Sequence, residues 1–141
     1  MISKLLTAWC LLALTVTIHA AGMSALLPRR ASAPPDLRFW PVTRLLIKVA
    51  WWLVLLHLAE IAVWALFYWW QKCLPDAESS FYFSGVTYTT LGYGDVVLPN
   101  EWRLIGSVEG LAGILMCGLS TGFFFAVVSR LFLLRSAAEE R

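Results

Sequence analysis

Three stretches of this chain are long and apolar enough to cross a lipid bilayer as helices. Leu5–Leu27 contains no Lys, Arg, Asp or Glu, Leu45–Trp70 contains only Lys48 and Glu60, and Leu104–Leu134 contains only Glu109 and Arg130. At 1.5 Å per residue each exceeds the ~30 Å hydrocarbon thickness, and the last, roughly 46 Å as a helix, must tilt or project. Composition points the same way. The 141 residues are 60% hydrophobic and 14% charged, against about 45–50% and about 25% in soluble domains. A domain this small has too little interior to hide the surplus. Eleven basic and nine acidic side chains leave a net charge of +2, which excludes a nucleic-acid binder that works by neutralising phosphates. Cys10, Cys73 and Cys117 show no metal-ligand spacing, so neither a disulfide framework nor a cysteine zinc site is expected.

The breaks between the runs are equally informative. Residues 28–44 (PRRASAPPDLRFWPVTR) hold four arginines against one aspartate, and Pro34-Pro35 forbids a continuous helix there. Residues 71–80 (QKCLPDAESS) are polar, and Phe81–Tyr88 is apolar but too short to span. It reads as a re-entrant helix over about Asp76–Thr90, with Asp76, Glu78 or Ser79 as candidate caps. Arg130, Arg135 and Arg141 mark the C-terminal end, whereas residues 71–102 carry Asp76, Glu78, Asp95 and Glu101 against Lys72 and Arg103. The positive-inside rule therefore places 28–44 and the C-terminus in the cytoplasm and both 71–102 and the N-terminus outside. A cleaved signal peptide is the competing reading of the first run. The sequence His19-Ala20-Ala21-Gly22 makes a poor cleavage site, and cleavage would leave the arginine-rich loop outside.

Chemistry concentrates in Thr89-Thr90-Leu91-Gly92-Tyr93-Gly94-Asp95. Irregular backbone at membrane depth is tolerated only where protein buries it or where it lines a water-filled path. Gly92 and Gly94 permit left-handed backbone angles, and alternation of such angles aims successive carbonyls the same way. A stack of carbonyls can replace the water shell of a cation, with the Thr90 hydroxyl adding one oxygen at the inner end. One chain supplies one wall, so several copies must surround an axis.

These residues resemble the potassium-channel signature, with Leu91 where valine is usual. The resemblance covers about residues 45–134 and extends to Val108–Gly122, which is similar to the inner helix of bacterial inward rectifiers and other small two-helix bacterial channels. It implies an all-α membrane protein of outer helix, re-entrant pore helix, selectivity filter and inner helix, preceded by one additional transmembrane helix. The expected organisation is an N-terminal helix over 1–27, a cytoplasmic basic loop over 28–44, the pore domain over 45–134 and a short cytoplasmic tail over 135–141. The resemblance further implies a homotetramer in the cell membrane, passing K⁺ over the backbone oxygens of Thr90, Leu91, Gly92 and Tyr93, with Gly94 completing the filter. No catalysis, no cofactor other than the transported K⁺ and no nucleic-acid partner is expected. A weakly selective cation channel and a non-conducting membrane adaptor are the alternatives.

Other polar residues take supporting roles in this reading. Asp95 and Glu101 would ring the outer mouth and gather cations. Glu60, with His57 three residues before it on the same face, should bond to a neighbouring span such as the extra first helix; the alternative is a proton-sensitive gating contact. Glu109 should face the pore helix and bond to a hydroxyl such as that of Thr87 or Tyr88. Gly113 and Gly122 match the places where inner helices of the family bend, with close packing as the other explanation. Strong rectification in the family goes with an acid four residues after the hinge glycine. Cys117 stands there, which implies a current–voltage curve that cytoplasmic spermine leaves nearly straight. No span carries arginine at every third position, so no voltage sensor is expected.

Overall fold

The computed structural model describes residues 2–27 and 38–139. Four helices account for most of them: α1 (Ile2–Leu26), α2 (Phe39–Trp70), α3 (Ala77–Tyr88) and α4 (Arg103–Glu139). No strand occurs among the described residues. Three of the helices, α1, α2 and α4 as far as Ala138, are long and apolar enough to cross a membrane. The protein is an all-α, multi-pass membrane protein.

Helix boundaries follow local chemistry. Helix α2 starts at Phe39, ahead of the expected Leu45, because Pro41 falls in the first turn, where a missing N–H leaves no hydrogen bond unmade. Helix α4 continues past the expected Leu134 as far as Glu139. Arg135, Ala137 and Ala138 are good helix formers, and no Gly or Pro stops the helix there. Residues 28–37 of the expected basic loop, and the last two of the expected tail, lie outside the described residues. Within the spans, hydroxyls close on their own helix: Thr15 Oγ1 donates to the Leu11 carbonyl (2.9 Å) and Thr17 Oγ1 to that of Ala13 (2.7 Å). Such bonds satisfy polar groups that lipid cannot.

The short helix α3 packs between α2 and α4, while α1 lies against α2 and α4 and makes no helix contact with α3. The core therefore gathers around α3, where Trp64, Phe67 and Tyr68 of α2 meet Phe83 and Tyr88 of α3 and Ile105, Ala112 and Met116 of α4. Leu55, Leu58, Phe125, Phe132 and Leu133 are left exposed. In water such a surface would be a liability, but against lipid or a second copy it is ordinary.

Polar contacts fasten α1 along its length. Lys4 Nζ reaches the Glu101 carbonyl (3.2 Å) and carboxylate (3.3 Å), and lies 4.3 Å from the centre of the Trp102 ring. Trp64 Nε1 donates to Thr15 Oγ1 (3.0 Å), His19 meets Glu60 (2.8 Å), and Trp52 Nε1 donates to the Gly22 carbonyl (2.9 Å). The first helix thus packs as an integral member of the bundle. Its N-terminal end lies on the same side as residues 100–102.

Candidate functional site

The site begins where α2 ends. Lys72 takes a left-handed φ of 54°, Lys72 N–H donates to the Trp69 carbonyl and Cys73 N–H to that of Tyr68. This is a Schellman stop, with lysine in the place glycine usually takes. After a bend over residues 73–76, Asp76, in extended backbone, caps α3 by accepting from Ser79 N–H at 2.7 Å. Of the three cap candidates, Asp76 performs the task. The chain has turned back within a few residues, and α3 descends beside α2 to deliver residues 89–95.

Those residues have an alternating backbone. Thr90 (φ 62°), Gly92 (φ 53°) and Gly94 (φ 80°) are left-handed, at every second position. For Gly92 and Gly94 this is cheap, but for Thr90, which is β-branched, it is a strained outlier held by its surroundings. Thr90 N–H donates to the Thr87 carbonyl at 2.9 Å, and Gly92 N–H reaches back to that of Val86 at 3.0 Å, tying the segment to the end of α3. A strand in which φ changes sign at each step can turn successive carbonyls to one side. The Leu91 and Tyr93 side chains, 59% and 68% exposed, find no cover within their own chain.

Three braces hold this segment from behind. At the top, Tyr82 of α3 donates its hydroxyl to Asp95 Oδ2 at 2.6 Å. That bond holds the Asp95 carboxyl below the usual carboxylate range, so it stays ionised at neutral pH. In the middle, buried Glu109 of α4 receives the Tyr68 hydroxyl at 2.8 Å and meets Ser84 of α3. Ser84 also bonds the Ile61 carbonyl at 2.9 Å. The hydroxyl lies one turn above the expected Thr87 or Tyr88.

At the base, Tyr88 is gripped from two sides. Its hydroxyl donates to Glu60 and lies 2.9 Å from His57 Nδ1. Its carbonyl touches Gly113 so closely that a Cβ built there would stand 1.8 Å from the oxygen. Gly113 is therefore a close-approach glycine, whereas a Cβ on Gly122 meets nothing within the chain.

A family model described as an ion channel matches residues 52–130. The chain belongs to the ion-channel family. No curated protein sequence and no solved structure matches it. The matched region of the channel starts inside α2 and ends inside α4, so α1 lies entirely outside it.

Within the channel, the residues singled out from sequence fall into separate groups. Thr90, Leu91, Gly92, Tyr93, Gly94 and Asp95 form the continuous segment. Glu109 and Gly113 back it, while Glu60 and His57 join Tyr88 beneath it. Glu101 lies apart from them, paired with Lys4 at the N-terminal end of α1. Cys117 and Gly122 lie on exposed positions of α4. Sequence reasoning missed Lys4, His19, Tyr68, Tyr82, Ser84 and Ser120 as partners. The available signal was that every ionisable group inside a span needs a partner, and His19 is such a group itself.

Proposed function

We propose that this chain assembles as a homotetramer around a central axis and conducts K⁺ selectively, passing the ion along the carbonyls of Thr90, Leu91, Gly92 and Tyr93. The observation that carries this reading is the left-handed backbone at positions 90, 92 and 94. Alternation of this kind presents a row of oxygens, and four rows enclose a dehydrated cation in a cage of oxygens. Exposed Leu91 and Tyr93 have the character of side chains awaiting the neighbouring subunit. Asp95, kept ionised by Tyr82, supplies a ring of negative charge that concentrates cations at the mouth. With no arginine-bearing sensor helix among residues 1–141, opening does not respond steeply to voltage.

The test is flux from liposomes holding the purified protein. K⁺ efflux should collapse the gradient when K⁺ is the permeant ion and leave it nearly intact when Na⁺ replaces it. Comparable rates for both ions would make it a weakly selective cation channel, and no flux of either would make it an adaptor.

In this reading the channel lies in the cell membrane with residues 71–102 and the N-terminus outside and the C-terminus in the cytoplasm, following the arginine distribution. Cysteines introduced at Ser3 and Asn100 should then react with an impermeant thiol reagent applied to intact cells, and one at Ser136 should not. Labelling at Ser136 alone inverts the orientation.

A further inference from the structure

Glu60 is fully buried at the centre of α2, and all the groups around it are now identifiable. His19 Nδ1 of α1 lies 2.8 Å from Oε1, and His57 Nδ1 lies 3.6 Å from Oε2. The Tyr88 hydroxyl bonds both Oε2 and His57 Nδ1. On the far side, Ser120 Oγ of α4 lies 3.0 Å from His57 Nε2 and 3.4 Å from His19 Nε2. Both imidazoles thus turn Nδ1 to the carboxylate and Nε2 to one hydroxyl. All four helices contribute to the cluster.

We propose that His19, His57 and Glu60 bind a divalent transition-metal ion of the zinc type. Zinc takes nitrogen and carboxylate oxygen at about 2.0–2.2 Å in a tetrahedron, which sets donor atoms roughly 3.3–3.5 Å apart. One donor atom from each of the three residues lies within 4.8 Å of the other two. The outer groups suit the same role. One serine oxygen can accept from both Nε2–H groups, which leaves both Nδ1 lone pairs for the ion and fixes the rings.

The side chain of His57 is 20% exposed, and a groove between α2 and α4 that includes Leu53, Ser120 and Thr121 opens beside it, giving an ion a way in.

The test uses full-length protein in detergent, equilibrated with Zn²⁺, desalted and analysed by elemental mass spectrometry. About one zinc per chain is expected, unchanged when Cys10, Cys73 and Cys117 are replaced by serine. His19→Ala and Glu60→Gln should each lower this to background, and Ser120→Ala should weaken retention by about 10–100-fold. Co²⁺ in place of Zn²⁺ should give the visible absorption of a tetrahedral nitrogen–oxygen site in the unmodified protein, which decides the matter even if a variant fails to fold. Background zinc with no Co²⁺ band would overturn the proposal. Full zinc retention in folded His19→Ala or Glu60→Gln would overturn it equally. Neither readout depends on which ion the channel conducts.

Discussion

Alanine at Gly92 or Gly94 should abolish the preference for K⁺ over Na⁺, or K⁺ flux altogether, in the liposome assay. Both residues lie at positive φ, and nothing in the chain is near enough for a Cβ to strike. The cost is therefore one of backbone conformation, about 1–2 kcal/mol for a residue other than glycine in a left-handed angle. Four subunits would multiply it to about 4–8 kcal/mol, enough to depopulate the aligned conformation by about a thousandfold or more. Thr90 already carries such strain in every chain, so little tolerance remains for a second strained position. Selective flux of ordinary size from either variant would remove the carbonyl reading of this segment.

Gly113→Ala should be as damaging for a different reason. Its Cβ would meet the carbonyl oxygen, carbon and Cα of Tyr88 at 1.8, 2.7 and 3.1 Å. These are backbone atoms at the end of α3 and cannot rotate aside, so α4 must move away from α3. Overpacking of this sort costs typically ~1–3 kcal/mol, and more where the neighbour is rigid. The displacement also falls beside Thr90, so an assembled variant should lose at least about tenfold in K⁺ flux. Gly118→Ala and Gly122→Ala meet nothing within 4 Å inside the chain and serve as controls for a helical glycine exchanged without a clash. If Gly113→Ala assembles by size-exclusion chromatography and conducts like those controls, the α3–α4 contact has no such importance.

The parts of this molecule that were legible in the sequence are those governed by local chemistry. The three apolar runs, the short helix and the Asp76 cap all follow from charge-free length, turn residues and capping preferences within a few positions. Contacts between helices were far less legible. Spans that are apolar around their whole circumference carry little periodic signal to say which face meets which neighbour. Glu109 was read against a pore-helix hydroxyl such as Thr87 or Tyr88 and meets that of Ser84, one turn earlier on the same helix. Glu101 was grouped with Asp95 by charge, and its side chain pairs with Lys4, 97 residues away in sequence. Left-handed Thr90 could not have been read from propensity at all, since a β-branched residue argues against that angle.

The polar contacts that fasten α1 also bear on how the chain is made. Synthesis runs from the N-terminus, so α1 is available in the membrane before α2 emerges. Thr15 and His19 are then already at depth when Trp64 and Glu60 arrive. A carboxylate entering the bilayer centre alone meets a penalty of ~2.5–3.5 kcal/mol, and the waiting imidazole removes part of it. Order of emergence thus makes α1 an internal insertion aid for the helix that follows. Moved to the far end of the gene, the same segment would reach Glu60 only after that residue had faced lipid without a partner.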